Sequence, residues 1–216
     1  MTRMQKTSFI LLSDTHDYQF GDNASSKLQL LVPKVEVLLH CGDLTQVGGI
    51  PAFKKALKML NNFDAELKLV IAGNHDLELD EGWCKAHLEE DEDYLDDHAR
   101  AMENPIPAGV HIVMTHGPPK GFRDENLGCE NTLHAVQRVK PLIHCFSHIH
   151  EGYGANKIVW DDEEKAKDDL VNDYPQAIDL HIESGKETLM VNAATLDGEH
   201  QPSNAPWIIN LDLPSS

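Results

Sequence analysis

Long hydrophobic runs are missing from this chain. No uninterrupted apolar stretch approaches the roughly 20 residues a membrane-crossing helix needs, so no membrane partner is expected. Met1 to Leu12 has a basic start and a short apolar run, but it stops at Ser13-Asp14-Thr15-His16. That is too short for a signal peptide and lacks a small-residue cleavage site, so a first strand and a cytoplasmic protein are expected. Cysteine is sparse, and Cys41, Cys84, Cys129 and Cys145 form no C-x-x-C pair, which argues against a zinc ribbon or a thioredoxin-like motif. A chain of this size needs no disulfide staple, so buried or incidental thiols are expected. Positive charge is also scarce: 18 Lys and Arg face 36 Asp and Glu, a net charge of −18. Extended contact with a nucleic-acid backbone or an anionic membrane needs the opposite balance.

What is present suits one sizeable core. The 216 residues are 41% hydrophobic and 25% charged, and they read as a single domain over 1–216. Apolar runs recur, each ending in a polar cluster. Phe9 to Leu12 runs into Asp14-Thr15-His16, Val35 to Leu39 into Gly42-Asp43, and Leu67 to Ala72 into Gly73-Asn74-His75-Asp76. Val110 to Met114 runs into Thr115-His116, and Leu142 to Phe146 into Ser147-His148-Ile149-His150. Short apolar runs bounded by turn residues predict buried strands. Helical spacing falls between them: Phe53, Leu57 and Leu60 after Pro51; Leu88, Leu95, Ala99 and Met102 within Trp83 to Met102; Leu133, Val136 and Val139. A polar insertion is expected at about 161–185, before final strands at Leu189 to Val191 and Ile208-Ile209. The acidic stretches Glu89 to Asp97 and Asp161 to Asp169 read as solvated faces.

Strands alternating with helices define an α/β fold, and in such sheets ligands bind at the carboxyl ends of the strands. Those ends hold the chemistry here. Asp14 and His16 are two apart, as are His148 and His150, so on extended chain each pair points one way. Asn74 adds an amide oxygen beside His75. Carboxylate, imidazole and amide oxygen are ligands for Mn²⁺, Fe, Zn²⁺ or Mg²⁺. Each cluster alone is weak; their occurrence at successive strand ends is a joint pattern. His40 reads as a packed strand-end residue, and His87, His98, His134, His144, His181 and His200 fit no ligand spacing.

The series Asp14-x-His16, Gly42-Asp43, Gly73-Asn74-His75-Asp76, His116 and His148-x-His150 resembles the calcineurin-like metallophosphoesterase superfamily. Three stretches are similar to its small metallophosphoesterase-domain branch of animals and fungi: Met114 to Asp124, His148 to Gly154, and Val191-Asn192-Ala193-Ala194. The resemblance implies a four-layer αββα sandwich of two mixed sheets. It implies two divalent or transition-metal ions, one held by Asp14, His16 and His150, the other by Asn74, His116 and His148, with Asp43 bridging. It implies a metal-dependent phosphoesterase that hydrolyses small phosphodiesters, cyclic nucleotides among the candidates, and monoesters more weakly. The attack would come from a metal-bridging hydroxide, with His75 as proton donor to the leaving oxygen or stabiliser of phosphoryl charge. Asp76 would orient neighbouring groups. Arg123 would either contact substrate phosphate or form a surface ion pair. Two divalent cations against two ligand carboxylates leave about two positive charges, which reconciles an acidic chain with an anionic substrate.

Gly42 to Gly48 lacks the second Asp and the Arg of the superfamily's protein phosphatases, which argues against a phosphoprotein substrate. Ser147 stands where the family usually has Gly; a position requiring positive φ would be strained with Ser there. The stretch from Asp76 to His116 is short and lacks a Gly-x-Pro-Trp segment. Those two departures motivate an alternative, a metal- and nucleotide-binding regulatory protein with little turnover.

Overall fold

The computed structural model describes residues 3–20, 33–79, 106–160 and 167–214. The chain forms β1 (Met4–Leu12), β2 (Val35–His40), α1 (Ile50–Asn61), β3 (Ala65–Val70), β4 (Ile112–Met114), α2 (Glu130–Val139) and β5 (Ile143–Phe146). It continues with β6 (Gly154–Val159), β7 (Lys167–Leu170), β8 (Ile178–Leu180), β9 (Glu187–Asn192) and β10 (Trp207–Pro214). The first sheet has the order β3-β2-β1-β10-β8 and the second β4-β5-β9-β6-β7. Both are mixed. β1, β2 and β3 run parallel while β10 is antiparallel to β1. Likewise β4, β5 and β9 run parallel while β6 is antiparallel to β9.

The side-chain alternation of a strand explains the layers. Along β1, Phe9 and Leu11 face the second sheet and pack with Leu39, Ile143, Cys145, Leu189 and Val191. Ile10 and Leu12 face the other way, onto Ala56, Met59 and Leu60 of α1. In the second sheet Phe146 and Met190 turn outward onto Leu133 and Val136 of α2. The result is α1, sheet, sheet, α2: the four-layer αββα sandwich. A sheet covered on both faces needs unbroken apolar strands, as Phe9 to Leu12 supply. Pro51 starts α1 without needing its missing N–H. Lys140 ends α2 in the left-handed region, its N–H donating to Val136 O, and Pro141 blocks continuation.

Some expectations are corrected. The run read as a third buried strand is an edge strand among the described residues, with Leu67 and Leu69 49% and 40% exposed. In α1 the buried stripe is Ala56, Met59 and Leu60, and Leu57 points to solvent, because the 3.6-residue period favours the 56/59/60 face. The polar stretch at 161–185 contains β7 and β8, which extend one edge of each sheet. The helix read over Trp83 to Met102 and the acidic run Glu89 to Asp97 lie outside the described residues. Ser147 is not in the left-handed region; the positive φ falls one residue later, at His148 (69°), so serine is unstrained.

Candidate metal centre

All five predicted clusters sit where parallel strands end: after β1, β2 and β3 in one sheet, and after β4 and β5 in the other. The loops stay in register past the strands. Asp14 N–H donates to Gly42 O and His16 N–H to Asp43 O, while Ser147 N–H donates to His116 O. Ser13 bridges to Ala194 just past β9, joining the two sheets at the floor of the site. The turns are tight. Asp14, His16, Asp43 and His148 all take positive φ, conformations that non-glycine residues adopt at a cost repaid only where surrounding structure fixes them. Glycine is required at two points: a Cβ on Gly42 would come within 2.7 Å of His116 Nδ1, and one on Gly73 within 2.2 Å of Asp43 Oδ1.

The candidate ligands converge in overlapping groups. Donor atoms of Asp14, His16 and His150 lie within 4.8 Å of one another, as do those of Asp43, His116 and His148, and those of His16, Asp43 and His75. Asp43 belongs to two groups. Its Oδ1 accepts the His75 backbone N–H at 2.8 Å, while Oδ2 lies 3.5 Å from His16 Nε2 and 3.3 Å from His116 Nε2. Asn74 Oδ1 is 2.9 Å from His116 Nε2. Ser147 Oγ donates to Asp14, whose other oxygen is 3.2 Å from His150 Nε2.

The hydrogen-bond balance tests whether a cation fits. His116 Nδ1 is 2.8 Å from Cys41 O, which can only accept, so Nδ1 carries the proton. Nε2 then presents a lone pair to Asn74 Oδ1, Asp43 Oδ2 and His148 Nδ1, the last at 3.2 Å. One added proton satisfies one of those contacts; a metal ion satisfies them together. His150 repeats the pattern, with Nδ1 3.3 Å from Asp197 O and Nε2 toward Asp14. Such backbone-oriented imidazoles are how metal-binding histidines are fixed. The residues fit a metal pair.

Electrostatics agree. Burial pushes the Asp14 and Asp43 carboxyls up, but hydrogen bonds, from His150 to Asp14 and from His116 to Asp43, outweigh it and hold both below the ordinary carboxylate value. Burial lowers His16 and His148, keeping them neutral. Burial opposes protonation of His116 and His150 too, but Asp43 and Asp14 respectively raise them. The ionised carboxylates and the neutral His16 and His148 are already in the forms metals bind; at His116 and His150 the proton that bonds the carboxylate in metal-free protein is the one a metal would displace.

Asp76 is fully buried, and its hydrogen bonds go to loop backbone and a threonine rather than to a candidate ligand side chain. Its oxygens accept from the backbone N–H of Leu44, Thr45 and Gly73 and from Thr45 Oγ1, clamping two ligand loops together. Of the two readings of Arg123, the structure holds the ion pair. Its guanidinium donates to Asn156 Oδ1 at 2.7 Å and pairs with Asp169 at 2.5 Å, and it is not in the wall of the metal cavity. The carboxylate on β7 outcompetes the site for it.

The donors open into a cavity of about 430 Å³. His200 and Glu151 line it, although spacing singled out neither. His200 follows β9, itself a parallel strand, so the rule about carboxyl ends would have reached this loop had it been applied to Val191-Asn192.

Paired buried carboxylates and imidazoles, facing each other across the ends of two sheets in an αββα sandwich, define a metal-dependent phosphoesterase domain. The chain belongs to the calcineurin-like phosphoesterase superfamily, whose domain description matches residues 8–199. It is similar to the human metallophosphoesterase domain-containing protein 1, 28% identical, with 96% of this chain and 72% of the human protein covered. A UPF0046 protein of Caenorhabditis elegans is 26% identical, with 97% of this chain and 82% of that protein covered. Among solved structures, purple acid phosphatase from yellow lupin seeds aligns at a TM-score of 0.44 and 12% identity, over 97% of this chain and 54% of that one. No helix among the described residues is long and apolar enough to cross a membrane.

Proposed function

We propose that the protein is a dinuclear metal-dependent phosphodiesterase acting on small phosphodiesters. The observation that carries the reading is Asp43: one carboxylate oxygen lies between His16 and His116, and so between two donor groups that each have the chemistry of a metal site. Asp14, His16 and His150 would hold one ion, Asn74, His116 and His148 the other, and Asp43 both. Bound there, two cations would activate water as a nucleophile near neutral pH and neutralise phosphoryl charge.

The chain's own groups supply the rest. His75 donates its Nδ1 proton to Gln46 O at 2.7 Å, which turns Nε2 toward the cavity. From there a protonated Nε2 gives its proton to the ester oxygen as the phosphorus–oxygen bond to the leaving alcohol breaks and the bond to water oxygen forms. Asp76 keeps the Asn74-His75 turn against the Asp43 loop. Ser147 orients Asp14 rather than straining the loop, which favours turnover over the regulatory alternative. Monoesters are expected as weaker substrates.

Metal content of protein purified without chelator, and hydrolysis of bis(p-nitrophenyl) phosphate with added Mn²⁺, test the proposal in wild type and Asp43→Ala. About two metals per chain are expected, with turnover at least ~10³-fold lower in the variant. Equal turnover in the two proteins would sink it, and so would metal-replete protein that hydrolyses no diester.

A further inference from the structure

A second cavity of about 430 Å³ adjoins the first and shares His16 and His200 with it. The two hollows therefore flank one wall of the metal centre. A phosphate monoester has one organic arm and would leave one hollow vacant; a diester has two. We propose that the second cavity is the subsite for one ester arm, and that it takes a flat, uncharged ring. This rests on the phosphodiesterase reading and adds the chemistry of one arm.

The lining sets that chemistry. Tyr18, Leu196 and Pro202 give apolar surface suited to the faces of a ring, and Thr15 and Gln46 give neutral polar edges. No lysine or arginine lines the cavity among the described residues, and Asp17 does, so an anionic arm is repelled. Asp17 Oδ2 accepts from Gln46 N–H, but Oδ1 is buried without a hydrogen-bond partner. The Asp17 carboxylate therefore contributes charge to this wall rather than an open acceptor.

His200 is the partition between the hollows, and the chain builds it deliberately. The Asp197 carboxylate accepts from Glu199 N–H, Gln201 N–H and Ser203 Oγ, and Leu196 bridges to Pro202, closing the loop on itself. The loop holds His200 at φ 56°, its ring edge-on to that of His150 at 5.1 Å. Asp197 O also accepts from His150 Nδ1. One loop thus orients a candidate metal ligand and sets the partition that sorts the substrate's arms. His200 and Leu196 are specificity-determining residues in this assignment.

Calorimetric titration of metal-replete protein with phenylphosphonate and methylphosphonate reads the subsite without turnover. Wild type is expected to bind phenylphosphonate at least tenfold more tightly than methylphosphonate, and 4-carboxyphenylphosphonate at least tenfold more weakly than phenylphosphonate. His200→Gly removes the ring while suiting the left-handed backbone; it and Leu196→Ala are each expected to bring the phenyl-to-methyl ratio below threefold. The subsite is overturned if both phosphonates bind wild type equally, or if the tenfold preference survives in both variants. If neither phosphonate binds protein shown to carry its metals, the phosphoesterase site itself is wrong and the subsite falls with it.

Discussion

The two ends of the metal centre are built by one plan and finished differently. In the first sheet, Thr15 precedes His16, and Thr15 Oγ1 lies 3.1 Å from Nε2 of His40 on the neighbouring strand. In the second, Thr115 precedes His116, and Thr115 Oγ1 lies 2.9 Å from Nε2 of His144, again on the neighbouring strand. Each threonine donates its own proton to a carbonyl, Leu44 O or Gly117 O, so each buried histidine must donate from Nε2 and stay neutral. The finish differs. Asp14, His16 and His150 have side chains at most 9% exposed, whereas His116 is 13% exposed and His148 and Asn74 face solvent. The loops are clamped differently too: those after β2 and β3, which carry Asp43 and Asn74, by a buried carboxylate, Asp76, and the one after β5, which carries His148 and His150, by an amide, Asn192, which donates to Ile149 O at 2.8 Å. The same anchor thus supports one closed group whose third member is a carboxylate, Asp14, and one more open group whose third member is an amide, Asn74. Donor groups resting on the same anchor can therefore differ in burial and in one ligand.

The largest expected effect separates the two clamps. Asp76→Ala leaves Leu44, Thr45 and Gly73 N–H groups and a threonine hydroxyl without their acceptor, and should cost about 3 kcal/mol or more. Asn192→Ala should cost about 1–2 kcal/mol. Urea unfolding of both variants measures the gap, and equal losses would erase the distinction.

Next comes pH, which probes the shared anchor. Burial lowers His144 to about 3; for His40 burial, with Asp14 and Asp76 opposing, gives about 4. In the unfolded chain both titrate near 6.5. Since the unfolded state binds these protons first, their effect vanishes above pH 6.5 and stability is lost as pH falls from there toward the folded values. Each contributes a slope of about 1.4 kcal/mol per pH unit within that window. In metal-free protein the raised His116 and His150 act oppositely, so the variant difference is the cleaner measure. Stability of His144→Gln between pH 6 and 4.5 should fall less steeply than wild type by about that slope; His40→Gln should match it. A change in only one would show that the halves are not anchored alike.

The smallest effect concerns the finish. On adding chelator, metal loss should be biphasic, the closed half releasing its ion about tenfold more slowly. In His148→Ala the fast phase should disappear. A single phase in wild type would count against two unequal halves.

Much of this was legible in the sequence, for specific reasons. Phe9 to Leu12 and Leu142 to Phe146 are short, apolar and end in turn residues, so strand ends and the polar groups they carry could be placed. Convergence of those groups follows from parallel strands, without coordinates. The anchors were not legible: His40 and His144 have no spacing relation to Thr15 and Thr115, because the contact runs between neighbouring strands. Positive φ at Asp14, His16, Asp43 and His148 was equally hidden, since none is the glycine that usually announces it. Arg123 stayed open between a phosphate contact and an ion pair because an isolated arginine gives no sign of which carboxylate will reach it first. His200 was passed over because it stands well past the end of β9, with no second candidate ligand at short spacing beside it.

The pairing of β1 with β10, Met4 opposite Pro214, has a temporal consequence. The strand that brings in Asp14 and His16 gains its antiparallel neighbour only after nearly all the described chain has been synthesised. Ser13 must likewise wait for Ala194. Contacts so remote in sequence form late and slowly. During synthesis, then, β1 waits with two candidate ligands uncovered, and the first sheet that carries them closes only once β10 has been made.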